Sequence, residues 1–337
     1  MELDKSRVAT FFITGGAGAI GSMVARYLVE HNQKVIIYDK RADDVTLFRD
    51  ISDNVTKIKN DIINLPALVQ AMKENEADYV IHAAALVDPI GKYHPIEHIQ
   101  NNLIGSMNVF EACRILDIPR VVYCSSRGVY KSEPSGETPR MINEDYPLKP
   151  LGNSLYAPSK LYVEYLAEIY NHHYNLECVG LRFAATFGPG KTFAKHGYHA
   201  IISKMIEDSI IGKPTVIPKG GNQRNDYVYY KDVARGLILA CLAKNLRHKI
   251  FNIGSGEAIS LFDIREAIRK IIPSAQIEIG PGLDFLGTGG YGYVFLDIRR
   301  ARQELNYIPK FPIEKAVKDY IETVNLLGLP LIEGKHC

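Results

Sequence analysis

Residues 8–21 read Val8-Ala9-Thr10-Phe11-Phe12-Ile13-Thr14-Gly15-Gly16-Ala17-Gly18-Ala19-Ile20-Gly21. An apolar run ends in a glycine-rich turn. A segment with helical spacing follows, carrying Ile20, Val24 and Leu28 on one face. Gly15, Gly18 and Gly21 have Gly-x-x-Gly-x-x-Gly spacing. The first glycine permits a tight turn, and the second lets a pyrophosphate approach the backbone. The third lets the helix lie close to the strand, with its N-terminus facing the phosphates. The position between a strand and a helix gives the motif its weight, because glycine turns elsewhere are ordinary connectors.

Outward from this turn, short apolar runs alternate with helix-period segments. Residues 34–38, 55–58, 79–81, 120–124 and 177–183 read as strands. Residues 65–74, 96–116 and 158–173 read as helices. This alternation predicts parallel strands joined by right-handed crossovers. Beyond Phe187-Gly188-Pro189-Gly190 the rhythm loosens. Helical segments at about 199–211, 231–243, 260–271 and 312–326 are separated by short strands and Gly/Pro-rich connections. The expectation is an α/β fold, a Rossmann-type doubly wound parallel sheet with a smaller C-terminal α/β substrate lobe. The dinucleotide-binding part would span 1–187, with a returning segment at about 225–253. The substrate lobe would take 188–224 and 254–337.

Composition is that of an ordinary folded soluble protein: 46% of the 337 residues are apolar and 23% charged, enough for a large core. A net charge of +2 gives no field that would draw the chain to nucleic acid or a membrane. No apolar run approaches the ~20 residues needed to span a bilayer. The five cysteines are scattered, with no Cys-x-x-Cys, which suggests reduced thiols. The start, Met1-Glu2-Leu3-Asp4-Lys5, is charged and lacks the apolar centre of a signal peptide, so a cytoplasmic chain is expected.

Asp39 closes the second strand, about 20 residues beyond the glycines, where an acidic side chain accepts hydrogen bonds from the adenosine ribose and repels a 2′-phosphate. NAD is therefore expected over NADP, although the adjacent Lys40 and Arg41 could pair with such a phosphate. Asp61 and Ile62 follow the third strand and could contact adenine; Asp61 could equally cap a helix. Ala83, Ala84 and Ala85 follow the fourth strand, where small side chains would let the dinucleotide lie flat.

Tyr156-Ala157-Pro158-Ser159-Lys160 places a phenol and an ammonium four residues apart, on one face if a helix starts near Ala157. An isolated tyrosine, with a pKa near ~10, is a poor base at neutral pH. A neighbouring ammonium stabilises the phenolate and lowers that value. The strand end Val121-Val122-Tyr123-Cys124-Ser125-Ser126 would present hydroxyls to a nicotinamide, with Ser126 holding the substrate oxygen whose proton Tyr156 moves.

Taken together, the glycine turn, Asp39, Ala83 to Ala85, Asn102, Ser126, Tyr156 and Lys160 resemble the extended short-chain dehydrogenase/reductases. Within that group the chain is similar to the NAD-dependent epimerase/dehydratase family, typified by nucleotide-sugar 4-epimerases. Leu181-Arg182-Phe183, Phe187-Gly188-Pro189-Gly190, Asp226-Tyr227-Val228-Tyr229 with Asp232-Val233, and Phe251-Asn252-Ile253-Gly254 extend the resemblance over nearly the whole chain. It implies a tightly held NAD cofactor, contacted also by Asn102 and Ser125. It further implies a catalytic set of Ser126, Tyr156 and Lys160, and a homodimer through the helices at about 96–116 and 158–173.

The chain departs from that pattern on the substrate side. Family members acting on nucleoside diphosphate sugars commonly carry an asparagine where this chain has Ala185. They carry an arginine where it has Asn225, with Arg224 one residue earlier, and a second late arginine that residues 280–293 lack. A diphosphate needs positive charge and forked donors. A bulge could return Arg224 to the site, or Arg299 or Arg300 could substitute. Arg127-Gly128 replaces the carboxylate pair of the dehydratases, which argues against water elimination. Val87, Arg127, Lys191, His196, His199 and Arg224 remain substrate candidates, and no metal site is expected. The reading is a NAD-dependent sugar epimerase working through a keto intermediate on a carbohydrate-like substrate. The alternative is a dehydrogenase of a small non-nucleotide polyol, sugar acid or other alcohol. The intact Ser/Tyr/Lys set argues against a binding protein that merely senses the cofactor.

Overall fold

The computed structural model describes residues 8–87, 94–131, 140–150, 155–190, 198–287 and 294–331. Seven strands form one parallel sheet: β1 (Thr10–Thr14), β2 (Lys34–Asp39), β3 (Val55–Lys59), β4 (Tyr79–His82), β5 (Arg120–Ser126), β6 (Glu177–Phe183) and β7 (Ile250–Ile253). Their order is β7-β6-β5-β4-β1-β2-β3. The direction of winding reverses between β1 and β4, which opens a crevice at the carboxyl ends of those strands.

Strand residues such as Phe11, Ile37, Ile81 and Val122 face one layer, and Phe12, Ile36, Val80 and Val121 the other. This alternation supplies two apolar cores, each of which needs a helical cover. On one face lie α1 (Ala19–Glu30) and α5 (Tyr230–Leu242). On the other lie α2 (Leu65–Glu74), α3 (Gly105–Ile115) and α4 (Tyr156–His173). A third core gathers Ala185, Phe187, Ile202, Leu261, Ile264 and Tyr320, from helices Tyr198–Ile210, Leu261–Ile271 and Ile313–Leu327 and nearby short strands. Helix Arg299–Leu305 instead packs its Ala301 and Leu305 into the core beneath α1 and α5.

The expected helix at 96–116 is not uniform. It runs as α-helix over Pro95–His98, as a wider π-turn over Ile99–Ile104, and as α-helix again in α3. The π-turn directs two consecutive polar residues, Asn101 and Asn102, inward; both are buried and both are bonded across to other elements. Such an insertion in a helix commonly marks a functional region. Strand and helix ends otherwise fall within a few residues of the sequence reading. Cys113, Cys124, Cys178 and Cys241 are buried and free. Among the described residues no helix is long and apolar enough to cross a membrane.

Candidate active site

The turn after β1 is built by contacts only glycine permits. Gly15 has φ +70°, and a Cβ there would stand 2.5 Å from the Ala84 nitrogen. A Cβ on Gly21 would stand 2.3 Å from the Gly15 oxygen. Gly18 differs: its Cβ would meet only the Gly15 oxygen, at 3.2 Å, and would otherwise project into open space. Gly18 is also the N-cap of α1, which has no side-chain cap and no acidic residue in its first turn. The positive end of α1, beginning Ala19-Ile20, is thus unopposed beside an open backbone surface, which fits a pyrophosphate.

Asp39, at the end of β2, reaches back over this turn. Its Oδ2 accepts from the Ala17 amide (3.2 Å) and its Oδ1 from the Arg41 amide (2.8 Å). Lys40 turns away to Asp61 (3.2 Å) and to the Asn101 side-chain oxygen (3.4 Å), so its charge is paired. Ile62 is buried against Gly105, and Asn108 donates to the carbonyls of Ile62 and Ile63. Ala83 donates its amide to Thr14, which seats Ala83 and Ala84 against the glycine turn, with Ala85 and the half-exposed Val87 beyond. These features fit an adenine dinucleotide lying across the sheet's carboxyl edge.

Asn102, which the resemblance implies is a cofactor contact, is bonded within the protein. Asn102 Oδ1 accepts from the Leu86 amide (2.7 Å), and its Nδ2 donates to the Leu86 carbonyl (3.0 Å) and to Ser159 (3.2 Å). It therefore clamps the chain leaving β4. Ser125 faces α4, the helix that carries Tyr156 and Lys160. Neighbouring strand residues face opposite layers, and Ser125 donates to Glu164 of α4.

Ser126, Tyr156 and Lys160 do converge. Ser126 ends β5, accepts the Gly128 amide (3.0 Å), and is hydrogen-bonded to Tyr156. Tyr156 opens α4, with Pro158 in the tolerated first turn. Lys160, one turn on, lies 5.6 Å from the Tyr156 ring centre and donates to the Cys124 carbonyl at 2.7 Å. Burial pushes the Lys160 ammonium below its ordinary value, and the neighbouring Cys124 and Glu164 work against that loss. The expected lowering of Tyr156 is not what the structure gives. Burial, reinforced by Cys124, pushes the phenol well above its ordinary range, and the Ser126 hydrogen bond offsets only part of this. Desolvation outweighs a lysine held off the phenol by its bond to Cys124.

The substrate candidates separate. Arg127 stands on the short turn after Ser126. Burial raises the carboxyl of Asp226, while Ser255, the Leu296 amide and the Arg127 charge favour its ionised form. Arg224 points outward to Asp263 and to the Ala258 carbonyl (2.9 Å), while Asn225 is buried beside Tyr227. Consecutive strand residues face opposite sides, so no bulge brings Arg224 inward. Arg299 is held by Asp297, and Arg300 by Glu144 and Asp145. Lys191 and His196 lie outside the described residues, as does the side chain of His199.

Two features escaped the sequence reading. Glu164 was signalled only by its place four residues after Lys160. His82 closes β4 as a lone polar residue after an apolar strand; its partners, Thr14 (2.7 Å) and Ser106 (2.9 Å), come from β1 and α3.

A doubly wound sheet, a glycine-bounded helix N-terminus and a Tyr–Lys pair over the end of β5 define an NAD-dependent enzyme of the extended short-chain dehydrogenase/reductase type. The chain belongs to the NAD dependent epimerase/dehydratase family, whose model matches residues 11–254. It is 29% identical, over 329 residues, to the UDP-glucuronate 4-epimerase of Thermodesulfobacterium geofontis, covering 94% of this chain and 95% of that one. It is 29% identical over 307 residues to a putative UDP-glucose 4-epimerase of Methanocaldococcus jannaschii, covering 91% and 95%. The UDP-glucose 4-epimerase of Thermus thermophilus, solved with NAD, superimposes with a TM-score of 0.77 at 24% identity, over 94% of this chain and 99% of that one.

Proposed function

We propose that this enzyme epimerises a carbon of a nucleotide sugar through a keto intermediate. The observation that carries the reading is the convergence of Ser126, Tyr156 and Lys160 at the sheet edge where the glycine turn and Asp39 also lie. Tyr156 takes the proton of the substrate hydroxyl and later returns it. Ser126 holds the same oxygen as it becomes a carbonyl, and Lys160 keeps a positive charge beside the phenol. Bound NAD supplies the acceptor for the carbon's hydride, its return, and a second positive charge that favours the phenolate. Re-addition to the other face, after the ketone has turned, inverts the centre. Residues 188–224 and 254–337 carry most of the substrate side in this reading.

UDP-glucose or UDP-glucuronate, acted on by the relatives, are the first substrates to test. The helices that carry the site also expose Ile99, Tyr162, Tyr165 and Ile169, which supports a homodimer through this face. A second reading, oxidation of a small non-nucleotide alcohol, draws on Arg224, Arg299 and Arg300, all committed to carboxylates rather than to a diphosphate. Purified protein incubated with each UDP-sugar discriminates the two. Interconversion of epimers with no net rise in reduced cofactor supports the first reading. Turnover only with added NAD and stoichiometric NADH release supports the second.

A further inference from the structure

We propose that Glu164 is a positioning residue for the catalytic set: its one carboxylate ties the end of β5 to α4 and sustains the charge of Lys160. The inference rests on the reading of Ser126, Tyr156 and Lys160 given above.

Glu164 lies on α4 one turn beyond Lys160 and two beyond Tyr156, so the three share a helix face. It is buried, and every bond it makes leaves its own helix. Oε1 accepts from the Ser125 hydroxyl of β5 and from Arg182 Nε of β6 (3.0 Å), and Oε2 accepts from Arg182 Nη2 (2.7 Å). Ser125 and Arg182 are opposite one another in the β5–β6 register. A single carboxylate therefore bolts α4 to two neighbouring strands, one residue before Ser126. Because adjacent strand residues face opposite sides, fixing Ser125 fixes the direction in which Ser126 leaves the strand. The Ser126–Tyr156 contact spans these same two elements.

Lys160 is faced by Tyr156 and Glu164 from its own helix, by Cys124 from β5 and by His82 from β4. Burial holds the His82 imidazole neutral and pushes the Cys124 thiol up, and the Glu164 carboxylate, bonded by the Arg182 guanidinium, lies one helical turn from Lys160. Glu164 is in turn faced by Arg182 from β6, and by Ser125 and Tyr123 from β5. Arg182 also donates to the Glu144 carbonyl (2.9 Å) and lies over Tyr130, so it stays anchored on its own side.

Three variants separate tie from charge. Ser125→Ala removes a tie and leaves the charge. Glu164→Gln removes the charge but strands the Arg182 cation. Glu164→Gln combined with Arg182→Met avoids that buried unpaired charge and guards against misfolding. The first readout needs no turnover: trace acylation of Lys160 across pH, followed by mass spectrometry. Glu164→Gln should move its midpoint down, the double variant, which loses the Arg182 cation along with the carboxylate, should move it down less, and Ser125→Ala should leave it in place. The second readout is epimerisation of a UDP-sugar. All three variants should lower kcat by on the order of tenfold or more, with KM little changed. In the Glu164 variants the alkaline limb of the kcat profile should move down with the acylation midpoint. An unmoved Lys160 midpoint in Glu164→Gln together with wild-type kcat in the double variant overturns the proposal. Failure of the parent reading looks different: Tyr156→Phe and Lys160→Met would then leave turnover intact.

Discussion

His82 offers a quantitative test of the site's buried wiring. The Ser106 hydroxyl donates to the Asn102 carbonyl (2.6 Å), so it accepts from His82 Nε2–H (2.9 Å). Nδ1 is then left to accept from the Thr14 hydroxyl (2.7 Å). The ring is neutral and ties the end of β1, the end of β4 and α3 together. Burial first, and the Lys160 charge second, hold its pKa down to about 3. In the unfolded chain the same group titrates near ~6.5. Between these values the unfolded state binds a proton that the folded state refuses. The contribution to stability is therefore complete above about pH 6.5 and lost progressively as pH falls toward about 3. At about pH 5 the gap of roughly 1.5 units, at ~1.4 kcal/mol each, makes the loss about 2 kcal/mol. Glu144, Asp226 and Asp232, whose carboxyls burial raises, act in the opposite sense and are common to wild type and variant. Urea unfolding of the wild type and His82→Asn, at about pH 7 and about pH 5 and equal ionic strength, isolates the term. The variant should be less stable throughout, yet lose about 2 kcal/mol less than the wild type on acidification. Parallel losses in the two proteins would refute the assignment of a buried neutral imidazole.

The glycine turn predicts two different alanine phenotypes. Gly18→Ala adds a methyl that meets only the Gly15 oxygen at 3.2 Å, so it should melt near wild type but bind NAD markedly more weakly by calorimetry. Gly21→Ala drives a methyl to 2.3 Å from the same backbone oxygen and should cost about 1–3 kcal/mol of stability as well as affinity. Asp39→Ala removes the acceptor over the turn and should narrow the preference for NAD over NADP, measured as a ratio of dissociation constants; an unchanged ratio would contradict the cofactor argument. Arg224→Ala, which breaks exposed contacts with Asp263 and the Ala258 carbonyl, should leave any UDP-induced rise in melting temperature intact, and loss of that rise would return Arg224 to the substrate site.

What the sequence made legible was local. The β1–turn–α1 unit is contiguous, and Gly18 and Gly21 answer to Gly15 within it, although Gly15 itself also meets Ala84. Tyr156 and Lys160 needed only the helix period. The Asn102 clamp, the His82 chain and the Glu164 tie join residues whose partners lie on other elements, so no local spacing encodes their partners. The π-turn at Ile99–Ile104 was invisible because the bonds its asparagines make, to Lys40 and Leu86, are not local. Arg224 could not be placed from the sequence because the motif gives a position to within one residue, and in a strand one residue reverses the face. The Tyr156 expectation weighed a neighbouring charge and omitted the desolvation that only the folded chain imposes.

The most direct test is Tyr156→Phe, with bound NAD and epimer formation from a UDP-sugar measured on the same preparation. The phenylalanine keeps the ring's place in α4 and removes only the group that moves the proton. Full NAD occupancy with turnover lowered by at least about a hundredfold is the predicted result. Wild-type turnover in that variant would contradict the central claim.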